Sequence, residues 1–354
     1  LRSDYEEAEQ YLEQLEEILF ELEVEPTDER LGHLKLLRST QAANTRGVRP
    51  ALALVKRLRS SLDDFAGSTL EGRVLLHCAK LALLQANLDE SKELCDQASE
   101  RFAEVGDQLG LGSCFLHYGQ LHALRFAPDE AKRDARSVIE IVKDISREDH
   151  PFAADNLLAT AYNTLGFAYI AEEKFEKATL ALKRAIRYFK EVGNRIGVEL
   201  ANMRLGDIAR LQGSTDAAER FYLDTIAHIA EIEHGIAALP SLSLALLMID
   251  TDRSEEAVDI LGEQLEEMER LGYDLYLPIA HLAKATCHAI ALDEKAWRAH
   301  FDESIPILDA SGQVSRDIAS LYERMAEALC QDFPRLALEC YPRPIEHAAI
   351  VIPE

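Results

Sequence analysis

Apolar residues recur along most of the chain at i, i+3, i+4 and i+7, most clearly from Phe152 to Leu239, a stretch without proline. Nowhere does a strict apolar-polar alternation persist, so the period is helical and the expected fold class is all-α. A longer period lies beneath it. One unit reads Ala161-Tyr162-Asn163-Thr164-Leu165-Gly166-Phe167-Ala168-Tyr169, then Phe175-Glu176-Lys177-Ala178, then Leu182 and Ala185. Small Gly166 and Ala178 mark a close crossing of two antiparallel helices, with Tyr162, Tyr169 and Phe175 filling the space around it.

Related units stand at intervals of about 40 residues. Leu205-Gly206 with Ala218 and Tyr222, and Tyr118-Gly119 with Ala131, are the nearest copies. Cys78-Ala79 with Leu88, Ser91, Cys95 and Ala98, and Leu244-Ala245 with Ala257 and Leu261, are degenerate but in register. Around Leu282-Ala283 and Ala296 the register needs a loop adjustment, and near Val48, Ala51 and Val55 only a second helix is evident. Glu104-Val105-Gly106-Asp107 and Glu191-Val192-Gly193-Asn194 end helices on residues suited to C-caps.

This pattern resembles the tetratricopeptide repeat (TPR), in which a bulky residue, a Leu-Gly pair and an aromatic mark the first helix, and an aromatic, two alanines and a bulky residue mark the second. The long period resembles the repeats of kinesin light chains, MalT-type bacterial activators and arrays attached to kinase, cyclase or ATPase domains. Asp149-His150-Pro151 is also similar to the kinesin light-chain style. The resemblance implies a right-handed α-solenoid of stacked helix pairs with a concave groove lined by first helices.

The expected organisation has four parts. Residues 1–30 form an acidic helix, with Tyr5 and Ala8 matching the second half of a truncated repeat; 31–310 form the array; 311–340 a helical cap; and 341–354 a proline-containing tail or linker. The start at Leu1 suits a fragment of something longer. Tyr5, Ala8, Leu12, Leu15, Leu19 and Leu22 also fit an a/d heptad, which leaves a coiled-coil dimer open.

Charge and composition narrow the function. The 354 residues include 38 Lys+Arg against 63 Asp+Glu, a formal charge of −25, which disfavours nucleic acid because phosphate binding needs a basic face. No apolar run is long enough for a membrane span and no secretion signal is evident, so a cytoplasmic location is expected. Six dispersed cysteines without a CxxC read as buried hydrophobes in a reducing compartment. Residues 1–30 hold 12 Asp/Glu and 2 Arg, whereas Lys35, Arg38, Arg46, Arg49, Lys56, Arg57 and Arg59 make the next segment basic. Either neighbouring helices pair these charges, or Arg46 to Arg59 dock an acidic partner.

Catalytic signatures are missing: no GxxxxGK[ST], HExxH or GxSxG occurs, and Gly110-Leu111-Gly112 lacks the rest of a dinucleotide fingerprint. His281 and His288 lie on one helix face about 10 Å apart, too far to share a metal without a third element. No cofactor or metal is expected, and the chain reads as a non-enzyme. The resemblance instead projects groove-facing positions onto Arg73, Lys80, Gln120, Asn163, Phe167, Met203, Asp207, Arg210, Leu242, Leu246, Ile249, His281 and His288.

Such a groove is polar with basic groups in its first half and apolar in its second, suiting a protein or peptide segment with an acidic end. The competing account is that the leucines only pack the next repeat. The family's carboxylate clamp is not reproduced, which argues against chaperone-tail recognition. The expected function is therefore a peptide- or protein-binding regulatory scaffold of a signalling or transcription protein. A small-molecule or sugar sensor and a self-association module, through the N-terminal helix or the end repeats, remain the alternatives.

Overall fold

The computed structural model describes residues 3–25, 28–65, 67–145, 150–231 and 238–340. Among the described residues there are seventeen α-helices and no strand. They are α1 (Ser3–Glu21), α2 (Glu29–Thr45), α3 (Val48–Arg59), α4 (Thr69–Leu84), α5 (Leu88–Val105), α6 (Gln108–Leu124), α7 (Pro128–Lys143), α8 (Pro151–Ala171), α9 (Phe175–Glu191), α10 (Arg195–Leu211), α11 (Thr215–Ala230), α12 (Ala238–Asp250), α13 (Ser254–Leu271), α14 (Leu277–Ile290), α15 (Glu294–Ser311), α16 (Arg316–Leu329) and α17 (Pro334–Cys340). From α2 onward the helices pack as consecutive antiparallel pairs, even-numbered helices first in each pair, and α1 packs on α2. The expected boundaries at 30/31 and 310/311 lie inside the first turn of α2 and the last turn of α15. The tail at 341–354 lies outside the described residues.

The 40-residue period has a backbone counterpart. Between the two helices of successive pairs stands a left-handed residue, at Ala86, Phe126, Glu173, Gly213, Asp252 and Leu292. The interval is 40, 47, 40, 39 and 40 residues, and the long step contains α8, the longest helix at 21 residues. Each of these turns is closed by a bond five residues back, such as Lys174 N to Tyr169 O at 2.9 Å and Ser214 N to Ala209 O at 2.8 Å. That is the Schellman closure of a helix C-terminus. Connections between pairs use the same closure at left-handed Gly106 and Gly193, and the next residue caps the following helix. Asp107 accepts from Gly110 N and Asn194 from Gly197 N, at 2.9 and 2.8 Å.

Seven residues before each left-handed turn stands Ala79, Gly119, Gly166, Gly206, Ala245 or Ala285, and five residues after it Ser91, Ala131, Ala178, Ala218, Ala257 or Trp297. The small first-helix residues admit a large neighbour. A Cβ on Gly166 would lie 2.6 Å from Leu182 Cδ2, and one on Gly206 2.7 Å from Tyr222 Cε1. Trp297 is the exception among the second-helix positions, fully buried and stacked on Phe301 at 4.8 Å. The register therefore continues through α14 and α15 without the expected loop adjustment, on Ala285 and Trp297 rather than Ala283 and Ala296.

The array closes on itself. Tyr273 Oη donates to Ala43 O at 3.2 Å, Leu275 N to Leu84 O at 3.0 Å and Val314 N to Leu124 O at 3.0 Å. Leu275 joins Leu83, Ala86, Leu88 and Leu121 in one buried cluster. The loops after α13 and α15 thus dock on turns of the N-terminal pairs, just under five pairs away along the chain. At this seam a Cβ on Gly47 would lie 2.4 Å from the Leu271 carbonyl oxygen. The described cysteines Cys78, Cys95, Cys114, Cys287 and Cys340 are buried, Cys330 is exposed, and all six are free.

Candidate functional site

First helices line the inner wall. Between α2, α4, α6 and α8 it opens into a cleft of about 340 Å³ bordered by Thr40, Arg73, His77, Lys80, Asp107 and Ser113. Arg73 and Lys80 stand seven residues, about two turns, apart on α4, and both are exposed at the cleft. Arg73 stands 3.8 Å from Asp107, a loose contact. Lys80 makes no ion pair among the described residues. Burial by the surrounding wall still lowers its pKa although solvent reaches its side chain, as expected of an ammonium inside a concavity.

Farther along the wall, Gln120 on α6 is exposed, and Asn163 Oδ1 on α8 is buried without a hydrogen-bond partner. One turn on from Asn163, the Phe167 ring lies under the Arg204 guanidinium of α10, 4.4 Å from its centroid. Arg204 makes no ion pair among the described residues, and its Nε has no hydrogen-bond partner. Burial lowers its pKa, opposed by the Asp207 charge and by Tyr276. Asp207 and Arg210 are committed instead. Asp207 accepts from Tyr222 Oη at 2.8 Å, and burial raises its pKa against the pull of Arg210 and Arg204. Arg210 reaches Asp250 at 2.9 Å and Asp317 of α16 at 2.6 Å; burial works against its charge, but Asp317 raises its pKa well above the ordinary value.

The expected apolar half of the groove is packed. Leu242, Leu246 and Ile249 are 6%, 6% and 1% exposed, and Met203 is 7% exposed. The cap helix α16 crosses this end, where Arg324 donates to the Ile249 carbonyl. These four side chains face the chain's own core, because the array curls until α16 meets α12 and α10.

No family model and no curated protein matches the sequence. Solved structures do. A Rap protein complexed with Competence and Sporulation Factor is similar over 98% of this chain and 96% of its own, at 16% identity and a TM-score of 0.66. NprR in complex with its cognate peptide NprX is similar over 97% and 94%, at 16% identity and 0.63. A signal-transduction ATPase with a tetratricopeptide repeat sensor, from Pyrococcus horikoshii, is similar over 98% of this chain and 53% of its own, at 12% identity and 0.52. The chain folds as a TPR superhelix.

The TPR register relocates two expected groove residues. With Ala285 as the small residue of α14, the projection made from Ala283 is two residues out, a rotation of about 200° around a helix. His281 and His288 accordingly face the second helices α13 and α15 rather than the groove. His281 Nδ1 is 3.0 Å from His300 Nδ1 of α15, and the His288 ring stacks on His300 at 5.6 Å. Burial lowers the pKa of all three, that of His300 to about 4. His300 is the third element absent from the sequence reading, yet among the described residues no group of three or more His, Cys, Asp or Glu is placed to hold a metal.

Two serine-histidine pairs in this TPR array invite a catalytic reading and do not support one. Ser39 Oγ lies 2.8 Å from His77 Nε2, and Ser91 Oγ 2.7 Å from His117 Nε2. Each hydroxyl donates to a carbonyl, Ala51 O or Ala79 O, at 2.8 Å. Its one proton is thereby used, so each imidazole donates to the serine and holds its other nitrogen bare. Both serines are fully buried, and a nucleophile out of reach of substrate performs no chemistry. They join neighbouring helices. Of the N-terminal cations, Arg38 pairs with Glu9 and Glu16 of α1 at 3.2 and 2.5 Å. Arg46, Arg49, Lys56, Arg57 and Arg59 are exposed and form no ion pair among the described residues.

Proposed function

We propose that this TPR superhelix is a non-enzymatic regulatory module that holds a protein or peptide segment against its inner wall. The observation that carries the reading is the cleft of Arg73, His77 and Lys80, continued by the exposed Gln120. Cations, an amide and apolar floor residues together suit an extended backbone with an acidic side chain. The similar Rap and NprR structures hold Competence and Sporulation Factor and the peptide NprX, which supports the same class of ligand here. Among the described residues no helix is long and apolar enough to cross a membrane. A sensor of small molecules would call for an aromatic-lined pocket, and Phe102 is the one aromatic bordering this cleft.

The test uses immobilised wild-type protein and an Arg73→Glu, Lys80→Glu variant against the same cell lysate, followed by synthesis of the captured segment. Loss of at least tenfold in affinity with an unchanged melting temperature is expected; equal affinity removes the polar wall from the site.

One observation favours a second reading, self-association. On α1, Leu12 and Leu19 are buried against Leu34, while Ile18 on α1 and Leu22 just after it are 51% and 59% exposed. If this exposed pair joins two copies, mass in solution rises with concentration for wild type and stays monomeric for Ile18→Glu. A monomeric wild type at high concentration ends this reading.

A further inference from the structure

Inside the concavity the cations fall into two groups. Arg210 is neutralised by Asp250 and Asp317, and on the neighbouring surface Lys132 is neutralised by Asp129 and Glu172. Lys80 and Arg204 have no such carboxylate among the described residues, although the chain carries 63 acidic residues. A cation in a concavity without an anion is free to take one from a ligand, and the buried Nε–H of Arg204 without an acceptor is destabilising. Arg204 adds orientation to this cost: Phe167 covers one face of its guanidinium, leaving its edge for a planar carboxylate. Resting on the peptide-binding reading above, we propose that the wall recognises a segment bearing two separate negative charges, one met by Lys80 and the other by Arg204.

The wall between them favours a peptide over a compact anion. Lys80 lies on α4 and Arg204 on α10, and first helices of adjacent pairs stand about 8–10 Å apart. The path along the wall crosses α6 and α8, where Gln120 and Asn163 present amide groups. Gln120, exposed on α6, can pair with the backbone amide groups of an extended segment. Across three such helix spacings, roughly 24–30 Å, one small dianion does not reach both cations, whereas an extended segment of about eight residues does. The acidic exterior also gives the arrangement selectivity: at −25 overall, the protein attracts basic partners anywhere on its surface and acidic ones only where cations are held apart from carboxylates.

Neither cation holds an ion pair among the described residues, so no salt bridge is broken by its removal, and binding can be separated from structure. Lys80→Met and Arg204→Met keep the apolar stems and delete the charges. The probe is a display library of random octapeptides selected on the full chain. Wild type is expected to enrich two acidic positions at a fixed spacing; Lys80→Met loses selection at one of them and Arg204→Met at the other. A wild-type-selected peptide binds each variant at least tenfold more weakly, while both ligand-free variants melt no lower than wild type.

Enriched peptides without acidic preference, or variants that bind within twofold of wild type, overturn the two-charge assignment and leave peptide binding standing. No enrichment, or binding that survives Gln120→Trp, overturns the peptide-binding reading itself. Inorganic phosphate and succinate are run alone as controls. A thermal stabilisation by either that equals the peptide's and vanishes in both variants reassigns the site to a free dianion and overturns the peptide.

Discussion

Gly47→Val should open the array while leaving most helix pairs folded. Gly47 sits at φ +97° and ψ −178° ahead of α3, a conformation that costs a residue with a Cβ roughly 1–3 kcal/mol. Its Cβ would also lie 2.4, 2.7 and 2.8 Å from the oxygen, Cα and carbonyl carbon of Leu271. Those are backbone atoms more than 200 residues away, so no side-chain rotation relieves the clash. Adding an overpacking cost of similar size gives a total of about 3–5 kcal/mol, concentrated at the seam. Repeat arrays are stabilised mainly between nearest neighbours, so the favoured response is separation of the loop after α13 from the turn before α3. Small-angle scattering should show a larger radius of gyration with little loss of helical circular dichroism. An unchanged radius and unchanged stability would mean that the seam does not hold the ends together in solution.

Mild acid should destabilise the protein through His77 and His117. Burial, assisted by the Lys80 charge, pushes His77 down to about 4 and His117 to about 3, from an unfolded value near 6.5. The folded state therefore binds fewer protons than the unfolded one between these values. The stability gained by keeping each ring neutral is present above pH 6.5 and is lost progressively as pH falls toward the folded values. By pH 5.5 each histidine should have given up about 1.4 kcal/mol, so the pair about 3 kcal/mol. The measurement is urea unfolding at pH 7.5 and 5.5 for wild type and for His77→Gln, His117→Gln. The double variant starts from lower stability because it loses the serine contacts, but its change between the two pH values should shrink by about 2–3 kcal/mol. An equal change in both proteins would place the acid sensitivity elsewhere, with the His281, His288 and His300 group the next to examine.

The helix pairs were legible in the sequence because their crossing points select for size. Gly119, Gly166 and Gly206 leave room that Leu182 and Tyr222 occupy in the structure, and a small residue among bulky ones is visible in one dimension. The turns inside the pairs were not legible. Five of the six left-handed residues are Ala86, Phe126, Glu173, Asp252 and Leu292, none of them glycine, so the usual sign of a positive φ was absent. The same gap misplaced α14, where Ala283 and Ala285 both look small and Trp297 replaces the expected alanine. A two-residue error on a helix reverses the face, which sent His281 and His288 toward the groove.

Arg73, Lys80, Gln120 and Asn163 lie on the first helices α4, α6 and α8, where the repeat pattern projects them because position within a repeat fixes direction. Arg204 was missed because it lies outside the positions that usually face the groove, and its stacking on Phe167 depends on how α8 meets α10. The packed state of Leu242, Leu246 and Ile249 follows from α16 crossing to α12 and α10. Closure of the array sets that contact, and closure leaves no local pattern in the sequence.

The chain has one tryptophan, and it is Trp297, fully buried against Phe301 between α14 and α15. Fluorescence excited selectively at tryptophan, which avoids the 11 tyrosines, therefore listens to a single pair near one end, whereas circular dichroism averages over the whole array. Denaturation curves from the two signals coincide only if the ends melt together. The offset between them is a built-in gauge of how far cooperativity travels, and opening the seam should widen it.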